Sequence, residues 1–238
     1  MTYTRSLLLI LALCSIQVTF GQQAPEGEVQ DSLELDDRYR EDQFYAGVTY
    51  NVPIALPSGG TIRGVSGGIN FGYLRDMPVN KQRNVAFAAG LGLSFDQYGQ
   101  NLFINEDASG STIYQVLDED FDYNSNRLSV YTIDLPIEFR WRTSTAAYEK
   151  FWRVYFGVRF GYAFHNQSKL KVSGNQTVIK DINEFEPFRT GLTVSLGYST
   201  FNFYGYYELR PFFSGATTTA GEMVDFKTLK IGLIFYIL

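Results

Sequence analysis

The chain has 238 residues, a net charge of −5 and 45% hydrophobic residues, without a run of Lys and Arg, so a nucleic-acid partner is excluded on charge grounds. Aromatics reach 16%, with 17 Tyr and 20 Phe, against 1 His, 1 Cys and 3 Met, which leaves little room for sites built on clustered His or Cys. The chain opens with Arg5 followed by an apolar stretch from Leu7 through Leu13 that continues to Phe20. That stretch is short and close to the terminus, which reads as an export signal over residues 1–21. Cleavage after Thr19-Phe20-Gly21 leaves Gln22 as the first mature residue and removes Cys14. Leu13 before Cys14 is too bulky for a lipidation site, and apolar residues continue beyond it.

Residues 22–42 are polar and acidic without a sustained period, and read as a flexible leader. From Phe44 the texture becomes strict alternation, which defines a barrel over residues 43–238. The first strand, 44–52, sets Phe44, Ala46, Val48 and Tyr50 against Tyr45, Gly47, Thr49 and Asn51. The second, 64–74, sets Ile69, Phe71 and Tyr73 against Gly68, Asn70 and Gly72. In the third, 85–96, Phe87, Leu91, Leu93 and Phe95 oppose Ala88, Gly92, Ser94 and Asp96. The fourth, 129–142, turns Tyr131, Ile133, Leu135, Ile137, Phe139 and Trp141 one way, and Asp134, Glu138, Arg140 and Arg142 the other. The fifth, 151–165, opposes Trp152, Val154, Phe156, Val158, Phe160, Tyr162 and Phe164 to Arg153, Tyr155, Gly157, Arg159 and Gly161. The sixth and seventh are 188–198 and 201–209. The eighth, 227–238, opposes Leu229, Ile231, Leu233, Phe235 and Ile237 to Lys230 and Gly232.

After Gln22 no apolar run approaches the ~20 residues of a membrane helix, whereas each strand has about 9–15 residues, the length a tilted strand needs to cross a bilayer. Inward faces rich in Gly, Ala and Ser with a few charges cannot build a soluble core, but they fill a narrow barrel. The fold class is therefore all-β: a transmembrane antiparallel up-and-down β-barrel of about eight strands, surrounded by outer-membrane lipid. Connections 75–84, 143–150 and 199–200 are short, while 97–128, 166–187 and 210–226 are long, with 53–63 the exception among the odd-numbered loops. Short periplasmic turns and long external loops place both termini in the periplasm. Trp141 and Trp152 flank a short turn on the outward face, as membrane-interface aromatics do.

Four segments carry a family resemblance: EDQFYAGVTYN (41–51), LPIEFRWR (135–142), KFWRVYFGVRFGY (150–162) and LKIGLIFYIL (229–238). Together they resemble the PorT family, porin-like outer-membrane barrels of Bacteroidota associated with the type IX secretion system. The resemblance covers almost the whole mature chain. It implies a non-catalytic role in protein transport to the cell surface, including gliding-motility adhesins, with other secretion-system proteins as partners. It brings no catalytic residue and no cofactor.

Among residues with chemical potential, the inward charges Asp134, Glu138, Arg140, Arg153 and Arg159 stand out. A symmetric hairpin sets Asp134 opposite Arg159 and Arg140 opposite Arg153, with Glu138 diagonal to both. In a narrow lumen they read as an internal salt-bridge plug, the other reading being a selective ion path. His165 and Ser168 are three apart, which puts them on opposite faces of a strand and denies them a catalytic pairing. Asp118, Asp120 and Asp122 space oxygen ligands as a divalent site would. The EF-hand pattern fails there, because Tyr123 and Ser129 stand where Gly and Glu are required. Two Asn-X-Ser/Thr triplets, at 166–168 and 175–177, match a glycosylation pattern that recurs by chance.

Overall fold

The computed structural model describes residues 42–143 and 152–237; the assigned export signal and all of the leader except Asp42 lie outside the described residues. Among the described residues eleven strands form: β1 (Gln43–Ile54), β2 (Gly67–Pro78), β3 (Val85–Gly99), β4 (Leu102–Glu106), β5 (Thr112–Val116), β6 (Ser125–Arg142), β7 (Trp152–Val172), β8 (Asn175–Lys180), β9 (Phe188–Tyr198), β10 (Phe201–Glu208) and β11 (Lys227–Ile237). Eight of them, β1, β2, β3, β6, β7, β9, β10 and β11, make a closed antiparallel barrel. Each pairs with its neighbour in the ring. The last strand returns to the first through Phe44↔Ile237 and Val48↔Leu233. Closure satisfies the backbone hydrogen bonds that an open edge would leave bare, a requirement of any sheet placed in lipid.

Alternation decides which side each residue takes. Along β6 the outward Ile133, Leu135, Ile137, Phe139 and Trp141 are exposed and Tyr131 is half-buried, while the intervening Asp134, Glu138, Arg140 and Arg142 are buried. The apolar side therefore faces out and the charged side faces in, the inverse of a soluble domain. Interior glycines make that geometry feasible. A Cβ at Gly92 would collide with the Tyr45 hydroxyl, and one at Gly191 with the Tyr206 ring.

Strand limits differ from the sequence expectation where polar residues continue the pairing. β2 begins at Gly67 and runs on to Pro78, β6 starts at Ser125, and β7 extends to Val172. The additional strands β4, β5 and β8 lie within segments expected to be loops. The β4–β5 turn is held by Asp107 Oδ1, which accepts hydrogen bonds from the Ser109 and Ser111 amides at 2.8 and 2.9 Å. The β7–β8 turn is Ser173-Gly174, with φ of 47° and 86°, the left-handed pair of a tight two-residue hairpin. A bulge shifts the β6–β7 register, so that Tyr131 pairs with His165 while Thr132 pairs with Ala163, leaving Phe164 as the extra residue. Below the bulge the odd residues of β7 point inward; above it Asn166, Ser168 and Leu170 do.

One end of the barrel carries the connections 79–84 and 199–200 together with the start of β1 and the end of β11. The opposite end carries 55–66, 100–124, 173–187 and 209–226. These long segments are folded together. Tyr98, Leu102, Ile104, Tyr114, Leu128, Ile179, Ile182, Phe185, Phe212, Phe213, Val224 and Phe226 form an apolar cluster over that end. Phe212 and Phe226 stack at 4.8 Å, and Tyr98 meets Phe212 edge-on at 5.1 Å.

Candidate functional site

The interior is the site with chemical content, and it is built in layers because the strands of a ring contribute residues at common heights. Nearest the short turns, Asp76 on β2 receives Arg140 at 3.2 Å and Arg142 at 2.9 Å, with all these side chains fully buried. Arg140 also donates from Nε to Glu138 at 3.1 Å and lies over the rings of Tyr155 at 4.8 Å and Tyr236 at 5.6 Å. Arg142 donates to the Arg83 carbonyl, and Arg153 to the Ser199 carbonyl. The guanidiniums thus close the turn end through a carboxylate they share and through turn carbonyls.

At mid-height Arg159 stands 3.7 Å from Asp134, whose other support is the Ser94 hydroxyl donating to it. The guanidinium lies over Tyr204 at 5.4 Å and Tyr45 at 5.9 Å. Higher up, Lys230 pairs with Asp96, which also accepts from Asn51 at 2.9 Å. Arg189 pairs with Glu208 at 3.1 Å, and Tyr206 donates to the same carboxylate at 2.8 Å. Arg189 lies 4.0 Å from the Phe212 ring, which joins this layer to the apolar cluster above. A cavity of about 20 Å³ is bounded by Asp96, Asp134, Arg159, Arg189, Glu208 and Lys230, room for about one water.

The expected pairing of the fourth and fifth strands is displaced by two residues. Asp134 faces Gly161, Arg159 faces Pro136, and Arg140 faces Tyr155, so that Asp134 and Arg159 meet diagonally. Arg142, not Arg140, faces Arg153. The physical gain is clear for Arg140, which exchanges a like charge for an aromatic face. Of the charges outside the expected cluster, Arg142 lies on β6 itself, while Asp76, Asp96, Arg189, Glu208 and Lys230 come from other strands. Parity alone puts Asp96 and Lys230 inside. Asp76 lies beyond residue 74, the expected end of the second strand, on the part of β2 that runs on to Pro78. Assigning partners required the ring to be closed, which a single hairpin does not reveal.

Trp141 and Trp152 both lie on the outward face, 42% and 55% exposed, and Trp152 meets Tyr198 edge-on at 5.6 Å. His165 is on the outer side with Nδ1 3.1 Å from Asp181, whereas Ser168 is buried on the inner side. Asp118, Asp120 and Asp122 are exposed on the segment between β5 and β6. Among the described residues no group of His, Cys, Asp and Glu gathers in a metal-binding arrangement, so the alternating spacing does not become convergence.

The covering segments have their own polar ties. Tyr114 donates to Glu184 at 3.1 Å, and burial, with the neighbouring carboxylate, pushes its phenol well above the usual range. Hydrogen bonding from Ser58, by its hydroxyl first and then by its amide at 2.8 Å, holds the Glu222 carboxyl below its ordinary value and links segment 55–66 to 209–226.

The family model described as outer membrane protein beta-barrel domain matches residues 20–214. No curated protein sequence matches the chain. Among solved structures it is similar to Ail, the attachment invasion locus protein of Yersinia pestis, at 14% identity and a TM-score of 0.37, over 82% of this chain and 97% of that one.

Proposed function

The chain belongs to the outer membrane protein β-barrel domain family, and from that premise we propose that it is a closed, non-catalytic barrel of the type IX protein secretion system, needed for export of cargo proteins to the cell surface. Its place is the outer membrane, with the short turns and both termini toward the periplasm and the covered end outside. The observation that carries the reading is the filled interior: paired charges at successive heights beneath an apolar cover. A barrel of about eight strands is just wide enough for side chains to fill, while aqueous porins use 16–18. Such a barrel cannot pass a cargo protein, so its contribution to export runs through surfaces, either the wall, the leader or the covered end. The resemblance of segments 41–51, 135–142, 150–162 and 229–238 to PorT supplies the secretion system itself.

A second reading, a surface-binding barrel independent of secretion, is favoured by the order of the covered end, where the β4–β5 hairpin and segment 209–226 share a core. Gene deletion separates the two. Loss of a secretion component strands cargo in the periplasm, with small-solute permeability unchanged. Normal cargo delivery in the deletion strain would overturn the secretion role and leave the surface-binding reading.

A further inference from the structure

The outward face changes character at the β7 bulge. Below it β6 and β7 present Ile133, Leu135, Ile137, Phe139, Phe156, Phe160, Tyr162 and Phe164, an aromatic and aliphatic wall. Above it β6, β7 and β8 continue as one sheet whose register groups residues into rows on a single face. Ser129, Gln167 and Lys180 form the first row, Arg127, Lys169 and Val178 the next, and Ser125, Lys171 and Gln176 the third. The opposite face of that sheet is the buried one, with Asn126, Leu128, Ser168, Leu170 and Ile179. Four cations therefore share one outward face directly above the wall. None of them enters an ion pair among the described residues. Arg127 donates to Gln97 at 3.1 Å, and the carboxylate beside Lys180, Asp181, is already taken by His165.

We propose that Arg127, Lys169, Lys171 and Lys180 bind the phosphate groups of an anionic lipid in the leaflet that surrounds this part of the wall. Successive rows are ~6–7 Å apart along the strand, and less in height once the strand tilts. The Lys180 row thus lies within the headgroup layer, which adds roughly 5–8 Å to each side of the hydrocarbon. Long Lys and Arg side chains lean toward that layer while their stems cover the strand. The apolar wall below receives the acyl chains, and the cations above receive the phosphates. A soluble anion would use only the second half. The inference rests on the lipid-facing reading of the wall and is independent of the secretion role.

The test uses the full chain in non-ionic detergent micelles, with fluorescent diphosphorylated lipid A, its dephosphorylated form and inorganic phosphate as probes. The protein should bind the diphosphorylated lipid. The combined Lys169→Ser, Lys171→Ser and Lys180→Ser variant should bind it on the order of 100-fold more weakly, at roughly a factor of five per cation. Replacing the same lysines by Arg should retain binding, which guards against an effect of misfolding. Dephosphorylated lipid should bind wild type and the Ser variant equally weakly. Unchanged affinity in a Ser variant that still migrates as a heat-modifiable barrel would overturn the proposal. Displacement of the lipid by equimolar inorganic phosphate would also overturn it, assigning the cations to a free anion. Cargo delivery in cells reports on the secretion role separately.

Discussion

The outer and inner faces of β6 belong to the same stretch of chain, yet they are held by different physics. Outside, Ile133, Leu135, Ile137 and Trp141 face lipid, which accepts any apolar surface, and Tyr131 and Phe139 add ring contacts to Phe95 and Phe87 on the next strand. Inside, Asp134, Glu138, Arg140 and Arg142 depend on named neighbours from β2, β3, β7 and the turns, because a buried charge without a partner is costly. The difference teaches that the wall tolerates exchange among apolar residues, while the interior tolerates loss of a partner badly.

Substitution can break that contrast from either side. The largest effect is expected inside, at Asp76→Ala, which removes the carboxylate shared by two fully buried guanidiniums, leaving Arg140 with Glu138 and Arg142 with the Arg83 carbonyl, and should cost about 3–5 kcal/mol of stability. Urea unfolding in micelles measures it, and a loss under 1 kcal/mol would mean that Arg140 and Arg142 do not depend on Asp76. The wall should respond to charge and to little else. Val158→Arg, at mid-strand opposite Ile137, should impair insertion by ~2–4 kcal/mol, whereas Val158→Leu should be close to neutral. Heat-modifiability on gels reads both, and normal barrel formation by the Arg variant would contradict the lipid-facing assignment.

The Asp134–Arg159 pair tests the diagonal contact. Each alanine variant alone should destabilise, and the double variant should recover part of the loss, with a coupling on the order of 0.5–3 kcal/mol. Simple additivity would show that the two do not interact. The smallest effect is expected in the covered end, at Glu222. Its carboxyl is held below the ordinary value by Ser58, so the tether is fully present above the unfolded carboxyl range, ~4.3. It is lost as pH falls through the lower folded value. Protection of the Ser58 amide from hydrogen exchange, corrected for the intrinsic rate, should hold at pH 6 and fall at strongly acid pH. Glu222→Gln should remove that pH dependence, and its persistence in the variant would place the titrating group elsewhere.

The contrast between the faces also explains what the sequence made legible. Alternation is a local property, so the inward arginines, the outward tryptophans and the order of the ring strands could all be read from residues such as those of 129–142 and 152–164. Closing the ring is not local. The partner of Arg140 is Asp76 on a different hairpin, and that of Asp96 is Lys230, 134 residues further along the chain. Register within a hairpin is also set by turn length and the Phe164 bulge, which parity alone does not fix. The covered end was the least legible region. Its core joins Leu102, Tyr114, Phe185, Phe212 and Phe226 from segments whose polar composition reads as loop.

Conductance of the purified barrel tests the central claim, a filled interior that acts through its surfaces. Single-channel recording in planar bilayers should give no steady conductance for the wild-type protein. Asp76→Ala and a variant shortened across 100–124 should give at most brief, irregular openings, because Asp134, Arg159, Lys230 and Asp96 still fill the middle. A steady, large conductance from the wild-type protein would contradict the closed interior.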